Sequence, residues 1–343
     1  MKILMVGPNA HSKGGIATVI ANFKLFYRDN QVFYFDSWKE TTRLSTGIQA
    51  FFRIKKNVKK MDIDIVHFHV AQKGSFYRKS LLAKRIRKQT RLIFHMHASQ
   101  FDTFYEDASP RIKKYISKTL DQLDGLVVLS QEWANFYQTI TKTPITIIEN
   151  AVEIPEAVSY ESKSTELITL GRIGMRKGSY DTLQLAKRIQ PVFPEVKFIL
   201  YGDGELDTIE QQIKAENITN VYLGGWISKE EQKKIMKKSV LHLLPSYQEG
   251  LPMSILETMS YGVPNLTTNV GGIPQVLRDG ENGMVVKPGD IDAMFEKLSM
   301  FLEDEEFRIK CSLESFKTIK THFSIVPYFE KWNQLYEDIM IIN

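Results

Sequence analysis

Cysteine is almost missing from this chain: Cys311 is the one thiol in 343 residues. A disulfide framework is therefore excluded, and a reducing cytoplasm is the expected compartment. No apolar run approaches the ~20 residues that a bilayer-spanning helix needs. The start of the chain does not read as a signal peptide, because Lys2 opens a short strand, Ile3 to Val6, that runs into a glycine turn. There is no internal repeat, no low-complexity tract and no Gly-x-Gly-x-x-Gly dinucleotide fingerprint. No recognisable nucleic-acid module is present, so nucleic acid is not an expected partner. What is there is the composition of a folded protein, 43% apolar and 25% charged, long enough for two cores.

Charge is unevenly divided. Residues 1–150 carry a net +12 and residues 151–343 a net −7. Such a split points to an anionic partner for the first half, an anionic membrane or a lipid-linked phosphate. The basic residues Arg78, Lys79, Lys84, Arg85, Arg87, Lys88 and Arg91, with Arg111, Lys113, Lys114 and Lys118, fall on or beside expected helices. They are either a solvated face or the surface that meets an acceptor or membrane.

Short apolar strands alternate with longer helical patterns, the signature of doubly wound α/β domains. The expected strands of the first half are Ile3–Val6, Val32–Phe35, Ile63–Phe68, Arg91–Met96, Gly125–Leu129 and Ile145–Ile148. Those of the second are Leu167–Leu170, Lys197–Tyr201, Val221–Leu223, Val240–Leu244, Val263–Thr267 and Met284–Val286. The polar stretch Val152 to Thr165, with Pro155 and several serines, reads as a linker. After Pro327, the residues Tyr328, Trp332, Leu335, Tyr336 and Ile339 fit an amphipathic helix.

The most informative stretch is Pro245-Ser246-Tyr247-Gln248-Glu249-Gly250-Leu251-Pro252-Met253-Ser254-Ile255-Leu256-Glu257. It leaves a buried strand and enters a helix, with Pro252 expected as the first helical residue. Gly250 lets a ligand approach the backbone, and the helix start favours an anion such as a phosphate. Glu257 stands in apolar company, which is costly unless something hydrogen-bonds to it. Earlier, Arg172 and Lys177 follow a strand within Gly171-Arg172-Ile173-Gly174-Met175-Arg176-Lys177-Gly178. Two cations on such a loop suit an anionic ligand, the arginine gripping two oxygens at once and the lysine acting as a point charge. Lys177 is expected to be an exposed loop lysine, and Arg176 a solvated one. Two acids without an acid–base pair flanking a bond do not make a glycoside hydrolase. His67-x-His69 and His95-x-His97 put each pair on one strand face. A zinc cluster is imaginable there, but no carboxylate or cysteine accompanies it, so core or cleft-wall histidines are expected.

Those loops, with Tyr201-Gly202-Asp203-Gly204-Glu205 and Gly271-Gly272-Ile273-Pro274, resemble in order the C-terminal half of the retaining glycosyltransferases of family 4. Gly14-Gly15-Ile16, His95-Met96-His97-Ala98-Ser99 and Ile148-Glu149-Asn150-Ala151-Val152 carry the resemblance through the first half. Gln275 departs from it, since family members usually have glutamate there. The resemblance implies an α/β GT-B fold: two facing Rossmann-like doubly wound domains, with a C-terminal helix crossing back to the first. The corresponding boundaries are an acceptor-binding domain over residues 1–155, a nucleotide-sugar-binding domain over 156–324 and the returning helix over 325–343. It also implies a metal-independent retaining glycosyltransferase without cofactor, with a nucleotide-diphosphate sugar, a UDP-sugar by expectation, as co-substrate. The acceptor would be a glycan or a lipid-diphosphate-linked glycan in cell-surface polysaccharide synthesis, capsule or exopolysaccharide. The enzyme would be cytoplasmic and peripheral at the inner face of the plasma membrane.

By the same resemblance, Arg172 and Lys177 clamp the diphosphate, Glu249 with Gly250 and Leu251 meets the sugar hydroxyls, and Glu257 accepts from the ribose. Gly171 keeps the loop backbone close to the donor. His97 contacts the donor sugar, with His95 as the fallback. Gly14 and Gly15 either form a turn only or approach the diphosphate or acceptor. Two rival readings stand beside it: a sugar-nucleotide 2-epimerase, which shares this architecture and needs added acid–base residues, and a non-catalytic sugar-nucleotide sensor.

Overall fold

A computed structural model describes residues 1–10, 12, 14–38, 43–158 and 160–341. Residues 342 and 343 of the expected terminal helix, and Ser159 of the expected linker, lie outside them. The chain begins with β1 (Lys2–Pro8), α1 (Gly15–Phe26), β2 (Gln31–Trp38), α2 (Arg43–Met61), β3 (Ile65–Val70) and α3 (Gly74–Ile86). It continues with β4 (Arg91–Met96), α4 (Phe101–Glu106), α5 (Pro110–Leu120), β5 (Gly125–Val128), α6 (Gln131–Gln138) and β6 (Ile145–Ile147). Then come β7 (Glu166–Leu170), α7 (Ser179–Ile189), β8 (Lys197–Tyr201), α8 (Leu206–Ala215), β9 (Val221–Gly225), α9 (Lys229–Met236) and β10 (Ser239–Leu244). Last are α10 (Met253–Ser260), β11 (Asn265–Thr268), β12 (Met284–Val286), α11 (Ile291–Glu303), α12 (Glu305–His322) and α13 (Ile325–Ile341). All twelve expected strands form, most within two residues of the anticipated ends.

The chain divides into two compact units. Unit 1 comprises Met1–Ala151 with Ile325–Asn343, and unit 2 comprises Val152–Ser324. Each is built on a six-stranded sheet whose pairs are parallel. Helices cover both faces of such sheets, which is why β3 and β10 are buried along their whole length.

Unit 1 has strand order β2-β1-β3-β4-β5-β6, and unit 2 has β12-β11-β10-β7-β8-β9. The order reverses direction between β1 and β3 in unit 1 and between β7 and β10 in unit 2. Successive crossovers leave to opposite sides at such a point, and the crevice beyond the strand ends is where ligands of open parallel sheets bind.

The helix α13 belongs to unit 1. Trp332 and Tyr336 are fully buried there, Phe329 packs edge-on to Phe23 with ring centroids 5.1 Å apart, and Lys331 pairs with Glu149 at 2.8 Å. The polar stretch after Ala151 is not a free tether. Val152 bridges to Ser324, the Tyr160 hydroxyl donates to the Val240 carbonyl at 2.9 Å, and Arg308 Nε donates to the Ser162 carbonyl at 3.0 Å. Among the described residues no helix is long and apolar enough to cross a membrane.

Candidate active site

In unit 2 the loops after β7, β10 and β11 meet around the reversal point of the sheet, and glycine is what lets them touch. Gly178 has φ +68°, and a Cβ there would stand 2.0 Å from the Pro245 carbonyl oxygen. Gly271 has φ +58°, and its Cβ would stand 2.2 Å from the Glu249 carbonyl oxygen. Backbone bonds latch the contact: Tyr247 N–H donates to the Arg176 carbonyl at 2.9 Å, and Gly272 N–H to the Gly250 carbonyl at 2.5 Å.

At the centre lies Glu249, buried at 6% exposure. Its Oε1 accepts from Lys177 Nζ at 2.5 Å and from Ser246 Oγ at 2.7 Å. Arg176 lies 3.7 Å from its other oxygen and also donates to the Gln248 carbonyl at 2.9 Å. Two expectations are corrected here. Lys177 is not an exposed loop lysine, since its side chain is 14% exposed and held by Glu249. Arg176 is not a solvated turn residue but the strut between the two loops. Both follow from partners about seventy positions away, which no local pattern announces.

Arg172 and Gly171 are exposed at the mouth of the same loop. Among the described residues Arg172 has no side-chain partner, so Lys177 and Arg172 share a loop without sharing a partner. Gly250 and Leu251 are buried. Pro252 has extended backbone, φ −71° and ψ 126°, and precedes α10 instead of opening it. Proline's fixed φ suits either place, and its ψ decides. The helix itself starts without a side-chain cap.

Glu257 is half-buried on α10 and accepts from Gln232 Nε2 of α9 at 2.8 Å. Burial pushes its carboxyl up, and the Gln232 bond opposes that shift. Gln232 and Ser246 were not singled out in the sequence; Ser246, three residues before Glu249, had the spacing to suggest itself, while Gln232 had no signal. Beneath the loops, His242 is fully buried and held down to about 4, chiefly by burial.

In unit 1, His69 of β3 stands in register with His95 of β4. The four imidazoles form a ladder: His67 and His69 stack with centroids 4.5 Å apart, and His95 and His97 lie tilted to each other at 3.9 Å. Their nitrogens bond to one another and to α13. His67 joins the Tyr336 hydroxyl at 2.8 Å and His95 at 3.2 Å, and His69 joins His97 at 2.9 Å. Ligand nitrogens of His67, His69 and His95 all lie within 4.8 Å of one another. The ladder is buried in unit 1, and His69 Nε2 and His95 Nε2 have no hydrogen-bond partner among the described residues. His97 is held down to about 3, by burial first and by Lys79 second, so it is a neutral imidazole. Gly14 has φ +108° and precedes α1, which Gly15 begins; both are exposed.

The basic set on α3 and just after it separates. Lys84, Arg85, Arg87 and Lys88 are exposed, as a surface role requires. Arg78 is half-buried, and Lys79 is 2% exposed. Lys79 therefore leaves the surface set. It lies on the apolar face of α3 between Phe76 and Ala83, where helical spacing turns it inward.

Residues 17–155 match the family described as Glycosyltransferase Family 4, and residues 152–317 the family described as Glycosyl transferases group 1. The 2-deoxystreptamine N-acetyl-D-glucosaminyltransferase of Niallia circulans is 30% identical over 159 residues, 46% of this chain and 41% of that protein. The UDP-Gal:alpha-D-GlcNAc-diphosphoundecaprenol alpha-1,3-galactosyltransferase of Escherichia coli is 23% identical over 339 residues, 92% of this chain and 86% of that protein. The solved sucrose-phosphate synthase of Thermosynechococcus elongatus has a TM-score of 0.83 at 16% identity, covering 100% of both chains. At that identity the structural likeness speaks for the fold.

Proposed function

Because this chain belongs to the family 4 type of GT-B glycosyltransferases, we propose that it moves a sugar, with retention, from a UDP-sugar to a lipid-diphosphate-linked glycan. The observation that carries the donor reading is the Lys177–Glu249–Ser246 cluster at the sheet reversal of unit 2. The relative from Escherichia coli that matches most of this chain is named for a UDP-sugar and a diphosphoundecaprenol acceptor.

In this reading the bond between the anomeric carbon and the diphosphate oxygen breaks while the acceptor oxygen bonds to the same face of that carbon. The departing phosphate oxygen takes the acceptor's proton, so no protein nucleophile is needed. Lys177 and Arg172 neutralise charge growing on the diphosphate, and charge stabilisers fixed in place beforehand act mainly in the transition state. Glu249 with the Gly250–Leu251 backbone faces the sugar hydroxyls, and Glu257, oriented by Gln232, accepts from the ribose. His97, a neutral imidazole, keeps the donor-sugar role that the family resemblance implies. No metal is given a step, and transfer is expected to persist in excess EDTA.

Glu257→Ala tests the donor assignment. It should weaken binding of free UDP by ~10–100-fold, the scale of a lost hydrogen bond to a charged group, while Glu249→Ala leaves UDP affinity near that of the parent. Titration calorimetry with UDP reads both. Equal loss in the two variants would contradict the division of roles. A thermal-shift panel of nucleotide sugars then identifies the donor.

The place of action is proposed as cytoplasmic, at the inner face of the plasma membrane. Exposed Lys84 and Arg85 share α3 with exposed Leu81, exposed Arg87 and Lys88 follow its end, and Arg85 lies over the Phe51 ring of α2 at 4.6 Å. Beside Phe51, Phe52 is 66% exposed, so apolar and basic side chains stand together. Changing Lys84, Arg85, Arg87 and Lys88 to glutamine should reduce co-sedimentation with anionic vesicles, at ~1 kcal/mol per charge near the surface. Binding should also fall as salt rises. Vesicle binding indifferent to both would return these residues to a solvated face and direct the search to soluble acceptors.

A further inference from the structure

Unit 1 holds a group that the donor chemistry does not use. Lys79 is 2% exposed, and its ammonium donates to Ser75 Oγ at 3.1 Å, back toward the first turn of α3. The same hydroxyl accepts from the N–H of Ala71, the residue just after β3, at 3.1 Å. This fixes the ammonium where β3 ends and α3 begins, at the sheet reversal of unit 1. Among the described residues no carboxylate pairs with it. A buried cation with one hydroxyl partner and no counter-charge is costly, and its amine is held down to about 7 by burial, with Arg78 adding to the effect.

What surrounds it is positive or neutral. No side chain caps α3 at its start, so the partial positive charge of the helix end is not offset there. Lys73, just before α3, sits at φ +55°, a strained value for a side-chain-bearing residue. His97 follows β4, its N–H donates to the Val70 carbonyl at 2.8 Å, and it feels the Lys79 charge. His69 feels it too; it is fully buried, and its Nε2 has no partner. A phosphate supplies what all these groups lack, an acceptor-rich anion.

We propose that Lys79, Ser75 and the start of α3 form a preformed phosphate site in unit 1, and that it takes a phosphate group carried by the acceptor. Only the assignment to the acceptor rests on the glycosyltransferase reading, because anion binding is read without turnover.

The test compares the whole protein with its Lys79→Met variant in thermal-shift titrations. The probes are orthophosphate, glucose 1-phosphate and, separately, UDP. The two monophosphates are titrated both alone and with UDP held saturating. Lys79→Met should bind both monophosphates ~10-fold or more weakly, keep the parent's UDP affinity, and melt no lower than the parent in the absence of anion. Ser75→Ala, which retains the cation, should give a smaller loss in the same direction. Phosphate affinity independent of Lys79 overturns the site. A loss of UDP affinity alongside the monophosphates assigns it to the donor and overturns the acceptor. A lower anion-free melting temperature with unchanged anion affinity makes Lys79 a packing element only. If UDP gives no shift in either protein, the donor reading of unit 2 fails while the monophosphate comparison still decides this one.

Discussion

Replacing Lys177 with alanine should lower turnover by ~100-fold or more, the scale of losing one preorganised charge stabiliser. The variant should also melt lower than the parent, although a loop lysine ordinarily contributes little to folding. The reason is Glu249: with Lys177 gone, a carboxylate that is 6% exposed keeps Ser246 Oγ at 2.7 Å and only a distant Arg176. Leaving a buried charge short of its partner costs a few kcal/mol, up to ~3–5 when the pair is fully buried. The two effects can be separated. Lys177→Ala combined with Glu249→Gln removes the buried charge as well, and should recover part of the melting temperature without recovering turnover. Near-normal turnover in a folded Lys177→Ala variant would remove this residue from the transition state.

Glu249→Ala should lose turnover on the same scale and share that loss with Lys177. The two side chains are bonded to each other, so they act as one unit, and such residues are strongly non-additive. The double variant Lys177→Ala/Glu249→Ala should be about as slow as the worse single variant. Independent action would multiply two ~100-fold losses into roughly four orders of magnitude. Single-turnover rates on one donor distinguish these results, and a multiplied loss would mean that Glu249 serves the sugar without holding the lysine. Retained UDP binding in Glu249→Ala would place its effect in transfer, not in nucleotide capture.

Much of the architecture was legible because it depends on nearest neighbours in sequence. β4, β8 and β12 fall where the apolar runs placed them, and the glycine loops after β7 and β10 come together as motif order suggested. What escaped detection depended on distance or phase. The burial of Lys177 is set by a glutamate 72 positions away, and Gln232 reaches Glu257 from another helix with no motif of its own. Lys79 was misread for a different reason. It was grouped with Arg78 by charge, whereas its spacing from Phe76 and Ala83 already put it on the inward face. Periodicity carried the better signal there, because burial follows the geometry of the helix and charge only sets what that burial costs.

The membership of α13 in unit 1 has a consequence for how the protein is made. Residues 1–151 leave the ribosome first, but the helix that covers Phe23 and His67 follows only after Val152–Ser324 has been synthesised. At ~5–20 residues per second, the first unit waits on the order of tens of seconds with that face bare. During this time the second unit, contiguous in sequence, can finish folding alone. Unit 1 is then completed by the seating of one aromatic helix on strands made long before it.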